Sequence, residues 1–134
     1  MTTQTTFDFP ALRRGLEERD ADVQLALYDE QAEVRLVDCV NTPRAPHLLR
    51  GRDEIRAWLQ DVCSRDMTHE VQTPVVADDA VAFTEACRYP DGTNVLCASV
   101  LELAGGRIVR QVVVQAWDTL ESNWQQSNNQ RSST

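Results

Sequence analysis

Apolar residues recur at helical spacing in the first half of the chain and then alternate with polar ones. Leucines four residues apart predict an amphipathic helix within residues 8–20, and similar spacing predicts a second helix within 20–30. Residues 32–38 alternate as in a short strand. The proline-containing segment 41–49 is typical of a loop, and residues 51–65 place apolar side chains on one side of a third helix.

From residue 67 the period is two. Turn signals at Asp78-Asp79, Asp91-Gly92 and Gly105-Gly106 divide this region into four strands. The predicted strands are residues 67–77, 80–90, 93–104 and 107–118. Helices followed by an antiparallel meander predict an α+β fold, in which three N-terminal helices pack on one face of a curved, mostly antiparallel sheet.

Length and composition predict one globular domain. The 134 residues are expected to fold over residues 1–126, with a polar, disordered tail over 127–134. An apolar fraction of 42% supports a hydrophobic core, and no run approaches the roughly 18–20 apolar residues of a membrane span. The first residues contain no basic segment followed by an apolar one, so we expect no secretory signal and a cytoplasmic location.

Charge and motif content limit the possible partners and cofactors. The net charge of −8 argues against nucleic acids and anionic membrane surfaces as partners. All 13 basic residues are arginine, which excludes Schiff-base lysine chemistry. The chain has no glycine-rich phosphate loop, and we expect no cofactor.

The four cysteines give no signal for a metal or a disulfide. They are Cys39, Cys63, Cys87 and Cys97. None of them has CxxC spacing, and neither histidine lies in register with them as a zinc ligand would. We therefore expect reduced, buried thiols and no metal site.

The last two predicted strands are apolar on both faces. On the strand 93–104, Leu96 and Val100 point to one side, and Val95 and Leu101 point to the other. The helices can cover only one of these sides. A second copy of the chain would cover the other, so the pattern predicts a homodimer through the sheet.

His69 is the residue on which the chemistry depends most. In a strand over residues 65–76, period two places it on the same face as Met67, Val71, Thr73 and Val75. A histidine on an apolar face is either a structural core residue or a base in a pocket. The pattern leaves both interpretations open.

Six phrases carry a resemblance to a known family. They are ALYDEQAEV, LLRGRDEIRAWL, MTHEV, RYPDGTNV, LELAGGRIV and VVQAWD. Their order resembles the SnoaL-like branch of the nuclear transport factor 2-like superfamily over roughly residues 9–120. The resemblance implies a cone-shaped α+β roll, a pocket between helices and concave sheet, and dimerisation. The superfamily includes isomerases, cyclases, dehydratases and members that only bind or dimerise, so the fold does not choose a reaction.

The catalytic positions of two branches of this superfamily match only in part. The base, tyrosine and second acid of ketosteroid isomerases correspond to Leu36, Leu12 and Ser99, so steroid isomerisation by that set is not expected. The resemblance to SnoaL-type polyketide cyclases implies an acid/base aspartate at Asp118. The alternative for Asp118 is a helix cap for the segment TLESNW.

A third branch, dehydrochlorinases and dehydratases, pairs a strand histidine with an acidic residue. The resemblance places that histidine at His69 and its partner at Glu17 or Asp20, with Asp38 as another choice. A carboxylate would fix the imidazole tautomer and stabilise the imidazolium. Glu85 also interrupts an apolar strand face, and we expect it either to pair with Arg110 or Arg88 or to lie at an exposed rim.

The remaining candidates would line the pocket or pack in the core. The predicted substrate-binding residues are Tyr28, Trp58, Met67, Phe83, Tyr89, Ser99 and Trp117. With the catalytic candidates His69, Asp38, Asp118 and Glu17, they suggest a cofactor-independent acid/base enzyme acting on a small hydrophobic, cyclic molecule. The alternative is a non-catalytic protein that binds a small ligand or dimerises.

Overall fold

The structure, a computed structural model, describes residues 6–118. The helices are α1 (Phe9–Glu17), α2 (Ala21–Leu25) and α3 (Gly51–Ser64), and the strands are β1 (Tyr28–Val37), β2 (His47–Arg50), β3 (Thr68–Val76), β4 (Ala80–Arg88), β5 (Asn94–Ala104) and β6 (Arg107–Trp117). The tail predicted at 127–134 and the segment TLESNW lie outside the described residues. No helix within 6–118 is long and apolar enough to cross a membrane.

Two of the three described helices begin at aspartates, and the order of the helices differs from the prediction. Asp8 accepts a hydrogen bond from the backbone N–H of Ala11 (3.0 Å), and Asp20 caps α2 (3.1 Å to the N–H of Val23). The second helix is shorter than predicted, because the chain joins β1 at Tyr28. Helix α3 follows β2, so two helices are N-terminal to the sheet and the prediction of three is corrected.

The sheet has six strands in the order β2-β1-β6-β5-β4-β3. Strands β3 to β6 form the predicted antiparallel meander, while β1 lies parallel to β6, so the sheet is mostly antiparallel as expected. The prediction of a loop over 41–49 missed β2, which is four residues long and pairs Leu36 with His47. So short a strand shows too little alternation to be recognised.

Two of the predicted turns contain glycines with positive φ, and in the first of them Gly92 has a φ of 91°. Gly105 and Gly106 have φ values of 59° and 76° and form the two-residue connection between β5 and β6. Both residues of a type I′ hairpin turn need positive φ, which glycine adopts without a steric penalty. These turns hold β4, β5 and β6 in register beneath the helices.

Side chains of the meander alternate between a concave face, which packs on the helices, and an outer face, which is open. On β5 the concave side chains are buried and the intervening ones are exposed along the whole strand. Helix α1 packs against β3 and α3 against β1, closing the core from one side. The largest fully buried side chains are Tyr28, Ile55, Leu101 and Ile108.

A β-bulge in β3 changes which residues face the core. Thr73 and Pro74 together oppose Phe83, and Thr73 has a φ of 51°. Met67 and Val71 are buried, but Val75 is 63% exposed. The predicted common face of residues 67–75 therefore ends at Val71, because the bulge turns the later residues over.

Candidate active site

A cavity of about 70 Å³ lies between the helices and the concave face. Its lining is mainly apolar and includes Leu12, Leu16, Trp58, Leu59, Val62, Met67, Phe83, Val95, Val113 and Trp117. An engineered apolar cavity of about 150 Å³ admits benzene. A ring-sized ligand therefore requires side chains at the opening to move. Trp58 and Trp117 are half-buried lining residues.

His69 and Glu85 form a buried pair in this cavity. Nδ1 of His69 lies 2.7 Å from Oε2 of Glu85, and the side chains are 5% and 10% exposed. They lie on adjacent strands and meet diagonally, since His69 is opposite Cys87 and Val71 is opposite Glu85. A buried carboxylate is costly unless it is paired, and His69 supplies the partner.

The contact with Glu85 decides which ring nitrogen of His69 is available. A carboxylate accepts hydrogen bonds, so Nδ1 carries the hydrogen and donates it to Oε2. In the neutral imidazole the lone pair is then on Nε2. Within residues 6–118 the one fully buried side-chain nitrogen or oxygen without a hydrogen bond is Nε of Arg52, which is outside the cavity. The polar atoms of the cavity are therefore bonded or accessible.

Cys87 is the third member of this cluster. Its Sγ lies 3.2 Å from Nδ1 of His69. A hydrogen bond with Cys97, burial and the nearby charge of Glu85 all raise the pKa of the Cys87 thiol. Cys87 is therefore a protonated thiol at neutral pH, and it lacks the thiolate character of a nucleophilic cysteine.

Neutral polar groups lie near the pair. The hydroxyl of Tyr28 donates a short hydrogen bond to Oε1 of Gln111. Burial, with a smaller contribution from the charge of Glu85, raises the pKa of Tyr28, so the phenol stays neutral. Ser99 is also buried and lines the cavity. The site thus combines one carboxylate with several uncharged donors.

Arg65 is a half-exposed cation in the cavity lining. Its Nη1 donates to the hydroxyl of Tyr89 (3.2 Å), and its Nη2 contacts Oδ2 of Asp61 (2.7 Å). The ring of Tyr89 lies 5.8 Å from that of Trp117, measured between centroids. Tyr89, predicted to bind substrate, thus lies outside the lining and contacts two residues that belong to it.

Most of the predicted substrate-binding residues line the cavity together with His69. They are Tyr28, Trp58, Met67, Phe83, Ser99 and Trp117. The other three predicted catalytic residues lie outside the lining. Glu17 accepts from the N–H of Val71 (3.0 Å), and Asp38 accepts from the N–H of Asn41 (2.6 Å) in a turn after β1. Asp118 lies at the end of the outer face and accepts from the N–H of Asn94 (3.1 Å).

The prediction that Glu85 pairs with Arg110 or Arg88, or lies at an exposed rim, is wrong, because Glu85 is buried against His69. Arg110 instead approaches Glu102, at 3.9 Å, and Arg88 is exposed. The turn at 78–79 alone would place His69 opposite Arg88, on the face away from Glu85. The bulge shifts the register by one residue and brings the two side chains together. The signal available in the sequence was the interruption of an apolar face by Glu85.

Residues 11–111 match the family model described as a SnoaL-like domain. An NTF2-like protein of unknown function from Mesorhizobium loti superposes with a TM-score of 0.70 at 14% identity, covering 81% of this chain and 87% of that one. A candidate ketosteroid isomerase from Kribbella flavida gives 0.68 at 17%, covering 81% and 74%. No curated protein has a sequence that matches this chain.

A third solved structure is named for its chemistry. The epoxide hydrolase/cyclase-like enzyme SalBIII, of pyran ring formation in the polyether salinomycin, gives a TM-score of 0.63 at 19% identity. The alignment covers 81% of this chain and 87% of that one. At these identities the likeness establishes a shared fold, and the site has to be interpreted from its own residues.

Proposed function

Since the chain belongs to the family of SnoaL-like domains, whose relatives include isomerases and cyclases, we propose that it is a cofactor-independent acid/base enzyme. The observation that carries the proposal is the buried contact of 2.7 Å between His69 and Glu85 in the wall of the cavity. His69 is the general base, acting through Nε2. Glu85 is a positioning residue that holds the ring and its tautomer.

The pair acts through the charge that develops during proton transfer. When Nε2 takes a proton the ring becomes an imidazolium, and Glu85 stabilises that cation at short range. The low dielectric of the surrounding apolar side chains strengthens this interaction. Uncharged donors such as Ser99 are available for the oxygen that gains negative charge on the substrate.

The lining favours a small hydrophobic, cyclic substrate. Apolar and aromatic side chains dominate the cavity, and polar groups are few. The reaction class consistent with one base is removal of a proton from carbon beside a carbonyl or similar group, which begins isomerisations, cyclisations and eliminations. The volume of about 70 Å³, less than half that of a cavity that admits benzene, favours ligands no larger than a single ring.

Deuterium exchange tests this function without knowledge of the natural substrate. Small cyclic ketones are incubated with the protein in D₂O, and loss of the α-proton signal is followed by NMR. We expect exchange with wild type and a loss of about 10²–10⁴-fold in His69→Gln. His47→Gln is the matched control, since His47 is exposed on β2. Equal exchange in wild type and His69→Gln would refute the base.

A separate observation supports a homodimer. The outer face exposes Leu96 (53%), Val100 (52%), Val112 (37%) and Val114 (48%) on two adjacent strands. Apolar side chains clustered in this way are typical of an interface. We propose that a second copy covers this outer patch of four residues, an arrangement that would also hold if the protein were a binding module.

A further inference from the structure

His69, Glu85 and Cys87 offer three metal-ligating atoms in one place. The imidazole nitrogen, a carboxylate oxygen and the thiol sulfur all lie within 4.8 Å of one another. Glu85 and Cys87 are buried, and the side chain of His69 is 5% exposed. A second thiol, Cys97, also lines the cavity. Their spacing across two strands gave no metal signal in the sequence.

The separations are close to those of a tetrahedral zinc site. With Zn–N and Zn–S bonds of about 2.0–2.3 Å, neighbouring ligand atoms lie roughly 3.3–3.8 Å apart. The observed separations are 2.7 Å from Nδ1 to Oε2 and 3.2 Å from Nδ1 to Sγ. Side-chain rotations that move these atoms by about 0.5–1 Å admit the ion while the paired strands stay in place. The cavity beside the cluster leaves the fourth position to water.

We propose that this cluster binds Zn²⁺ through Cys87, Glu85 and Nδ1 of His69, and that zinc inhibits the enzyme. A thiol and an imidazole are ligands of a borderline-soft cation, which favours zinc over magnesium or calcium. The inhibitory part rests on the proposed function, because it assumes that His69 is the base.

Zinc binding and base function exclude each other because both depend on the same ring. The Zn–S bond forms as the Cys87 thiol releases its proton to solvent. The Zn–N bond forms at Nδ1, so the hydrogen of the neutral imidazole moves to Nε2. Nε2 then has no lone pair for the substrate, and Glu85 is bound to the ion. No oxidant or reductant is needed.

Cobalt absorption reports this site directly. Co²⁺ is added to the chelator-treated full chain, and a tetrahedral thiolate site gives sulfur-to-cobalt charge-transfer absorption. We expect that absorption in wild type and in Cys39→Ser, where the exposed loop thiol is replaced. It should disappear in Cys87→Ser. Wild type without the absorption, or a Cys87→Ser protein that retains it, would overturn the proposal.

Zinc affinity, measured by competition with a chromophoric chelator, provides the second readout. Glu85→Gln should keep the cobalt–sulfur absorption but bind zinc at least about tenfold more weakly, since even a supporting residue contributes about 10–100-fold. If wild type and Glu85→Gln bind zinc with equal affinity, Glu85 is not a ligand and the proposed site is overturned. Circular dichroism of Cys87→Ser and Glu85→Gln serves as the control that both variants fold like wild type.

The two proposals fail in different ways. Zinc should suppress deuterium exchange in wild type and in Cys39→Ser. If wild type catalyses no exchange but gives the cobalt–sulfur absorption, the assignment of His69 as a base is refuted and the zinc site is retained. Exchange that proceeds undisturbed at saturating zinc, with the ion bound at Cys87, would refute the inhibition.

Discussion

The concave and outer faces of the meander each contain residues that are unusual for their location. The concave face is buried and contains the ionisable pair of His69 and Glu85, whereas the outer face is open and contains the apolar patch of Leu96, Val100, Val112 and Val114. Clustered exposed aliphatic residues and buried ionisable groups both point to a role beyond folding, because folding alone favours neither. The difference is consistent with the proposed chemistry on one face and the proposed association on the other.

The largest predicted effect compares the same residue type on the two faces of β5. Leu101 is 1% exposed on the concave face, and Leu96 is 53% exposed on the outer face. Leu101→Ala should lower the free energy of unfolding by about 2–5 kcal/mol through loss of burial and creation of a cavity. Leu96→Ala should change it by less than about 0.5 kcal/mol in dilute, monomeric protein. Urea unfolding measures both, and similar losses would contradict the assignment of faces.

The next prediction concerns association. Val100→Glu puts a carboxylate in the outer patch, and a chain of net charge −8 gains a further repulsion. We expect self-association to weaken at least about tenfold, or roughly 1.4 kcal/mol, in sedimentation velocity over a concentration series. Val40→Glu is the control, since Val40 is 72% exposed in the loop between β1 and β2 and is not part of the outer patch. Dimers unaffected by Val100→Glu would place the interface elsewhere.

Alkaline pH tests the electrostatics of the concave face. The pKa of Tyr28 is raised above its ordinary value of 10.0 by burial and by Glu85. Above pH 10 the unfolded chain loses this proton while the folded one keeps it, so stability falls by up to about 1.4 kcal/mol per pH unit. Tyr28→Phe should remove this part of the slope in urea unfolding between pH 9 and 11, and Tyr89→Phe should keep it. Identical slopes in wild type and Tyr28→Phe would refute the assignment.

The smallest predicted effect belongs to Asp118. It is exposed and holds Asn94 at the end of the outer face, away from the cavity lining. Asp118→Asn should cost less than about 0.5 kcal/mol of stability. It should leave deuterium exchange within about twofold of wild type, since general acid/base groups contribute far more. If Asp118→Asn loses as much exchange as His69→Gln, then Asp118 is the acid/base residue that the resemblance to polyketide cyclases implies.

Much of the fold follows from local rules that the sequence displays. Alternation and turn residues predicted β3 to β6, and the leucine spacing predicted α1, because these features depend on neighbours along the chain. Strand β2 was missed because four residues carry too little pattern. The parallel pairing of β1 with β6 joins segments that are distant in the sequence, so local patterns do not predict it.

The sequence predicted most of the residues that line the cavity, but it did not predict the pairing of His69 with Glu85. Period two and the family resemblance placed His69, Phe83 and Trp117 around one cavity. The partner of His69 was not predicted, because a single bulged residue in β3 decides whether Glu85 and His69 share a face. Glu17 and Asp38 were chosen instead, and the structure gives both of them backbone hydrogen bonds.

The central claim is that Glu85 holds His69 with its lone pair on Nε2. Nitrogen-15 NMR of the imidazole in wild type and in Glu85→Gln tests it directly, with the exposed His47 as an internal reference. We predict that the neutral form of His69 in wild type carries its hydrogen on Nδ1. In Glu85→Gln we predict a shift toward the Nε2–H form, because an amide can also donate to Nδ1. A wild-type His69 protonated on Nε2, or the same tautomer populations in both proteins, would contradict the account.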